Sequence, residues 1–188
     1  MATLRPLKEG ERALHDALTP KLPETSNIRL NHTMLRIADP DRSLRFYMDI
    51  FGMSLIFRFA AGPMTVHYLG YPSPEDRSPA DIAKDLGSKA GLLELVHVHE
   101  EHKAIYDASP SPVGTPKGRI GFGHLGFTVP DVEELLEHAR QDGYTVLKVP
   151  EDTSERKLDL PDYVLEGSFH KNFLAAYAQI GFLRDPDG

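Results

Sequence analysis

The chain has no cysteine. Disulfides, thiolate metal sites and a cysteine nucleophile are therefore all excluded. No Lys/Arg run is long enough to make a basic patch, and the formal charge is −7. Nucleic acid and anionic membranes, which both want clustered cations, are poor partners for such a chain. No uncharged stretch is long enough to span a bilayer. The N-terminal MATLRPLKEGERALHDALTPKLPETS carries scattered charges and no apolar segment, so it is not a secretory signal. Together these absences point to a protein of an intracellular, reducing compartment, the cytoplasm.

What is present suits an ordinary globular chain: 188 residues, 40% hydrophobic and 26% charged. That length fits one large domain or two small modules around a shared core. Residues 1–27 read as an N-terminal arm and linker, with a short polar helix expected over Pro6 to Leu18. A strand is expected over Leu30 to Ile37. Asp39-Pro40 then supplies an N-cap and a proline at the first helical position. In PDRSLRFYMDIF the spacing puts Leu44, Tyr47 and Phe51 on one helical face, and Gly52 ends the helix. MSLIFRFA and MTVHYLG follow as strands around an Ala61-Gly62-Pro63 turn, and GLLELVHV as another after a loop over Tyr71 to Ser88.

The pattern then restarts. GFGHLGFTV reads as a strand over Gly121 to Val129, Asp131 caps a helix with Glu134 completing a capping box, Gly143 ends it, and YTVLKV is a strand. In both copies a histidine precedes the helix-capping aspartate by seven residues: His32 before Asp39, and His124 before Asp131. From the histidine to the helix-ending glycine is twenty residues in the first copy and nineteen in the second. A repeated unit of this kind predicts an α+β fold with modules at 28–108 and 119–188, two curved sheets that face one another across a cleft. The second copy carries a charged insert at 150–177, either a variable surface loop or a lid.

Alternation along GLLELVHV sends Leu92, Glu94, Val96 and Val98 one way, and Leu93, Leu95 and His97 the other. Glu94 is thus a lone carboxylate in an apolar strand, costly unless paired or metal-bound. His32 and His124, taken singly, read more readily as hydrogen-bonded core histidines than as ligands; their matched placement is what suggests convergence. Two imidazoles and a carboxylate suit Zn²⁺ or Ni²⁺ in a site with an open position. The HVHEEH run (His97, His99, His102) reads as the solvent-facing end of a strand.

The segments HTMLRIADPDRSLRFYMDIFGMSLI, LLELVH, GFGHLGFTVPDV and RDPDG resemble glyoxalase I (lactoylglutathione lyase), within the vicinal oxygen chelate superfamily of paired βαβββ modules. That resemblance implies metal ligation by His32, Glu94 and His124, with the site of many members assembled across a homodimer. It implies isomerisation of the hemithioacetal of a 2-oxoaldehyde and glutathione, the ion stabilising an ene-diolate and a carboxylate shuttling a proton. Arg36 matches a residue that grips the peptide of glutathione, and Lys148 one that pairs with its glycyl carboxylate.

The chain departs from the family pattern at several points. Val98 stands where an asparagine is usual, Ile120 where an arginine is usual (Arg119 is one place off), and Ala176 where a lysine is usual. With Val96 these make the expected substrate surface more apolar and glutathione binding weaker. The step from His32 to Glu94 is 62 residues and the same step from His124 reaches 186; in the family the matching strand, with its carboxylate, follows the RDPDG motif, and so would begin only after Gly188. The second module is therefore expected to lack its final strand. Glu94 is left as the catalytic carboxylate, turnover is expected to be low, and Glu166 or His170 of the insert are the available substitutes. The alternatives are an isomerase or lyase of the same superfamily acting on a more apolar molecule, or a non-catalytic binding protein on this fold.

Overall fold

The computed structural model describes residues 5–9, 11–14, 23, 28–102, 123–154 and 170–188. The strands and the first helix expected between His32 and Val98 form. Strand β1 (His32–Ile37) leads into helix α1 (Pro40–Arg45), whose last turn widens into a π-turn over Phe46–Ile50. Asp39 accepts the Arg42 amide at 3.1 Å and Pro40 opens the helix, so its start is fixed locally. Gly52 closes it at a φ of 66°, a conformation that side chains with a Cβ resist. Strands β2 (Ser54–Ala60), β3 (Met64–Gly70) and β4 (Leu92–Val98) complete the unit.

The sheet order is β1-β4-β3-β2, with β1 and β4 parallel and the other pairs antiparallel. Between β3 and β4, helix α2 (Pro79–Lys84) forms where the sequence suggested only a loop. Its signal was Ser78-Pro79, the same cap-then-proline pair that starts α1, and Ser78 accepts the Asp81 amide.

One face of the sheet is closed by α1. Ser43 is buried on it, and Phe46, Tyr47 and Ile50 are buried in one cluster with Leu69, Leu93 and Leu95, whereas Leu44 and Phe51 are only partly buried. The inward set is thus turned from the expected Leu44–Tyr47–Phe51 face. Burying each large apolar side chain contributes about 1.5–3 kcal/mol.

The second module contributes helix α3 (Val132–Gln141), strand β5 (Val146–Lys148), helix α4 (Lys171–Tyr177) and strand β6 (Phe182–Leu183). Asp131 caps α3 by accepting the Glu134 amide at 2.9 Å, and Gly143 ends it at a φ of 83°. Three expectations fail here. The strand predicted over Gly121 to Val129 is absent from the described part, 123–129, which joins no ladder. In the first module the equivalent strand is zipped to β4, and no such neighbour stands beside 123–129 among the described residues. The 123–129 segment instead packs by side chains, with Phe127 stacked on Phe51 at 4.1 Å and Leu125 against the core.

Second, among the described residues the modules meet through their helices rather than through facing sheets. Ala139 of α3 joins the same core cluster as Phe46, Tyr47 and Ile50, so the second module packs on the helix side of the first. The opposite face of the four-stranded sheet keeps Met34 38% exposed and Phe59 60% exposed. Third, no helix forms in the described residues of the N-terminal arm. Glu11 accepts the Lys8 amide at 2.9 Å and pairs with Arg5, closing a local turn over the described residues; residues 10 and 15–18 of the expected helix lie outside them.

Candidate functional site

The open face of the sheet carries the candidate site. Registers Met34↔Glu94, Arg36↔Val96 and Tyr68↔Glu94 bring three strands together there. His32 stands opposite Leu92, one pleat from Glu94, a diagonal that long side chains can bridge. They do meet: His32 Nε2 lies 3.2 Å from Glu94 Oε2. The Tyr68 hydroxyl donates to the same oxygen at 3.2 Å. The Tyr68 ring meets the His32 imidazole edge-on at 5.6 Å and stacks on Phe57 at 4.9 Å. The lone carboxylate of an apolar strand is therefore partnered, as its partial burial requires.

Burial, then the nearby Glu94 charge and the bond to it, raise the Tyr68 hydroxyl above its ordinary pKa, so it stays a donor. Both described partners of the carboxylate sit at Oε2. Sequence reasoning missed Tyr68, although the alternation of MTVHYLG puts it on the face of Val66 and Met64, the face that Glu94 shares.

The other candidate residues are scattered. His124 is exposed and meets the ring of Phe182 edge-on at 6.2 Å. Among the described residues no group of three or more His, Cys, Asp or Glu side chains could hold a metal ion, so His124 does not join His32 and Glu94 within one chain. Arg36 lies farther along the same face, beside Val96, and Val98 stands opposite Met64.

Lys148 is 1% exposed; its ammonium donates to the carbonyls of Ile180 at 2.6 Å and Val149 at 3.0 Å, over the Tyr177 ring at 4.4 Å. In this conformation it is turned into the second module rather than toward a carboxylate ligand. His170 caps α4, its Nδ1 accepting the Asn172 amide at 3.2 Å. Ala176 is exposed on α4. His99 contacts Thr65 at 3.0 Å and stands 5.9 Å from the His97 ring. Ile120 and Glu166 lie outside the described residues, as does the side chain of His102.

A family model described as Glyoxalase/Bleomycin resistance protein/Dioxygenase superfamily matches residues 29–159. The lactoylglutathione lyase of Schizosaccharomyces pombe is 30% identical over 130 residues, 66% of this chain and 40% of that protein. This chain thus spans about two fifths of that relative's length. The lactoylglutathione lyase of Pseudomonas aeruginosa is 33% identical over 128 residues, 66% of this chain and 70% of that protein. Among solved structures, the trypanothione-dependent glyoxalase I of Leishmania major aligns with a TM-score of 0.50 at 21% identity, covering 86% of this chain and 81% of that one, a likeness of fold. No helix among the described residues is long and apolar enough to cross a membrane. With the repeated βα unit, the His32–Glu94 pair and these matches in hand, the chain belongs to the glyoxalase I family of the Glyoxalase/Bleomycin resistance protein/Dioxygenase superfamily.

Proposed function

We propose that this chain isomerises the hemithioacetal of a 2-oxoaldehyde and glutathione to the S-2-hydroxyacylglutathione, as a metal-dependent lyase of the glyoxalase I type. The observation that carries the reading is the 3.2 Å approach of His32 Nε2 to Glu94 Oε2. Two donors on one tetrahedral ion, each at about 2.0–2.2 Å, stand roughly 3.3–3.6 Å apart, so the pair has close to the spacing of adjacent ligands. The donor set, imidazole plus carboxylate without thiolate, suits Zn²⁺ or Ni²⁺. A bound ion would supply Lewis acidity to the two neighbouring oxygens of the substrate.

The chain's own residues do the rest. Glu94 presents Oε1, which has no described hydrogen-bond partner, to take the proton from C1 and return it at C2. Tyr68, donating to Oε2, holds the carboxylate in one rotamer and supports its charge. Arg36, on the same face, offers a cation to the peptide of glutathione. His124 completes the ligand set from a second copy of the chain, because within one chain it stands apart. That arrangement makes the working form a homodimer, with the exposed open face of each sheet turned toward the partner.

A second reading follows from the same face. Met34 and Phe59 are exposed there, beside the buried Val96 and Val98, a face that fits a more apolar substrate than glutathione. Two measurements separate the readings. Turnover of the methylglyoxal–glutathione hemithioacetal with Zn²⁺ or Ni²⁺ supports the first, and requires loss on Glu94→Gln. Absence of turnover together with no calorimetric binding of an S-alkylglutathione overturns it in favour of the second.

A further inference from the structure

Asn31, immediately before His32, is hydrogen-bonded in a way that dictates the chemistry of its neighbour. Its side-chain nitrogen donates to Leu86 O at 2.8 Å and to Lys89 O at 2.9 Å. A carboxamide has two N–H hydrogens, and both are used. Exchanging the amide oxygen and nitrogen would set an oxygen against two carbonyl oxygens, so the orientation is fixed by chemistry rather than by assignment. The remaining atom, Oδ1, therefore faces His32 Nδ1, at 2.9 Å. An amide oxygen accepts and never donates. Nδ1 must carry the hydrogen.

A neutral imidazole has one N–H and one bare nitrogen. With the hydrogen held at Nδ1, the bare lone pair is on Nε2, the atom that faces Glu94. A lone pair and a carboxylate oxygen 3.2 Å apart repel unless a proton or a cation stands between them. The pair is thus set up to receive one.

The anchor is itself braced. Arg29 donates to Ser88 O at 2.8 Å, Leu92 N donates to Asn31 O at 3.1 Å, and Lys89 is tied to Asp76 at 2.6 Å. Asn31 Oδ1 is thereby placed by the 86–92 segment rather than by its own rotamer preference, which is the preorganisation a binding site needs. We propose that Asn31 is a positioning residue: it fixes His32 in the Nδ1–H form and so presents Nε2 to a divalent cation shared with Glu94. The metal half of this inference rests on the proposed function; the tautomer half does not.

The test uses ¹⁵N-resolved imidazole spectra of the full chain, without metal, at about pH 8, above the ordinary histidine range. In the wild type His32 should show a protonated Nδ1 and a bare Nε2. Asn31→Leu removes the acceptor, and His32 should shift toward the opposite tautomer; Zn²⁺ affinity, read by competition with a chromophoric chelator, should fall about 10–100-fold. Asn31→Asp keeps an oxygen at Nδ1 while losing both donors. Its acceptor should keep the tautomer, and its Zn²⁺ affinity should stay above that of Asn31→Leu. Both variants lose the bonds to Leu86 and Lys89, so both should lower the thermal midpoint; a merely structural role would make them alike in every readout. A bare Nδ1 in the wild type, or Asn31→Leu binding Zn²⁺ as the wild type does, overturns the proposal. A wild type with the Nδ1–H form that binds no Zn²⁺ overturns the metal reading and leaves the tautomer assignment standing.

Discussion

Tyr68 and Glu94 face each other across β3 and β4, and the phenol donates to the carboxylate oxygen that also lies beside His32. A hydrogen bond to an ionised group is worth about 1.5–3 kcal/mol. Tyr68→Phe removes only the hydroxyl and leaves a ring to stack on Phe57. The expected result is a fall of about 10–100-fold in kcat/KM or in metal affinity, beside a lowered thermal midpoint that reports the lost bond. Steady-state kinetics and chelator competition check it; wild-type values in both would mean that the bond does not tune the carboxylate.

The separation of His124 from the His32–Glu94 pair gives a complementation test. His32→Ala and His124→Ala are each expected to be inactive. If ligands are shared between copies, a mixed dimer of the two variants holds one intact site. Mixing after unfolding and refolding should then restore about a quarter of wild-type turnover, since half the dimers are mixed and each has one site of two. A site built within one chain restores none.

Val98 stands on the cleft face opposite Met64, and Ile120 occupies the second position where a polar anchor is usual in the family. Val98→Asn with Ile120→Arg should tighten an S-alkylglutathione, by about tenfold for one recovered charge-assisted hydrogen bond. Titration calorimetry reads this directly. Tight binding by the wild type, unimproved by the double variant, would count against the loss of anchors.

The first module was legible in the sequence because every signal in it is local. Asp39-Pro40, Gly52 and Ala61-Gly62-Pro63 fix the chain's turns without help from distant residues, and alternation in GLLELVHV gives the face of Glu94. The second module was legible only where the same held, in the Asp131 cap and Gly143. The GFGHLGFTV segment has strand composition, yet a strand needs a neighbour, and composition does not say whether one is present. The arrangement of the modules was likewise hidden, because Ala139 and Phe127 declare their partners only through packing. Lys148 shows the same limit: a lysine at the end of a strand reads as a surface cation until Ile180 and Tyr177 are seen around it.

His67 is fully buried on the helix side of the sheet, with Nδ1 near Leu95 O at 3.4 Å and Nε2 without a partner among the described residues. Burial lowers its pKa from 6.5; Arg58 and His97 act in the same direction, while the Leu95 carbonyl and Asp41 oppose it. The unfolded chain therefore binds more protons than the folded one once the pH drops below about 6.5, and stability falls with pH in that window. Asp76, held at about 2 by Lys89 and Ser73, loses its contribution only at lower pH, from its ordinary 3.8 downward. The thermal midpoint should decline between about pH 7 and pH 5, and His67→Leu should flatten that slope. An unchanged slope in the variant would move the titration to another group.

The terminal RDPDG segment seats the second module on the first. Asp187 accepts the Ala38 amide at 2.8 Å and the Ser43 hydroxyl at 3.0 Å, and Asp185 accepts the Tyr47 hydroxyl. Tyr47 is buried in the shared core, and burial first, then Asp185, push its pKa far above the ordinary range, so it remains a neutral donor at any working pH. Tyr47→Phe keeps the packing but strips one partner from a half-buried carboxylate, at a cost of about 1.5–3 kcal/mol. Ser43→Ala should cost less, because Asp187 is exposed and water can replace the lost hydroxyl, whereas Asp185 is half-buried. Denaturant midpoints at constant m-value read both effects. The expected order is Tyr47→Phe well below Ser43→Ala, with Asp185→Asn near Tyr47→Phe; if Tyr47→Phe matches the wild type, the Tyr47–Asp185 bond does not help to hold the two modules together.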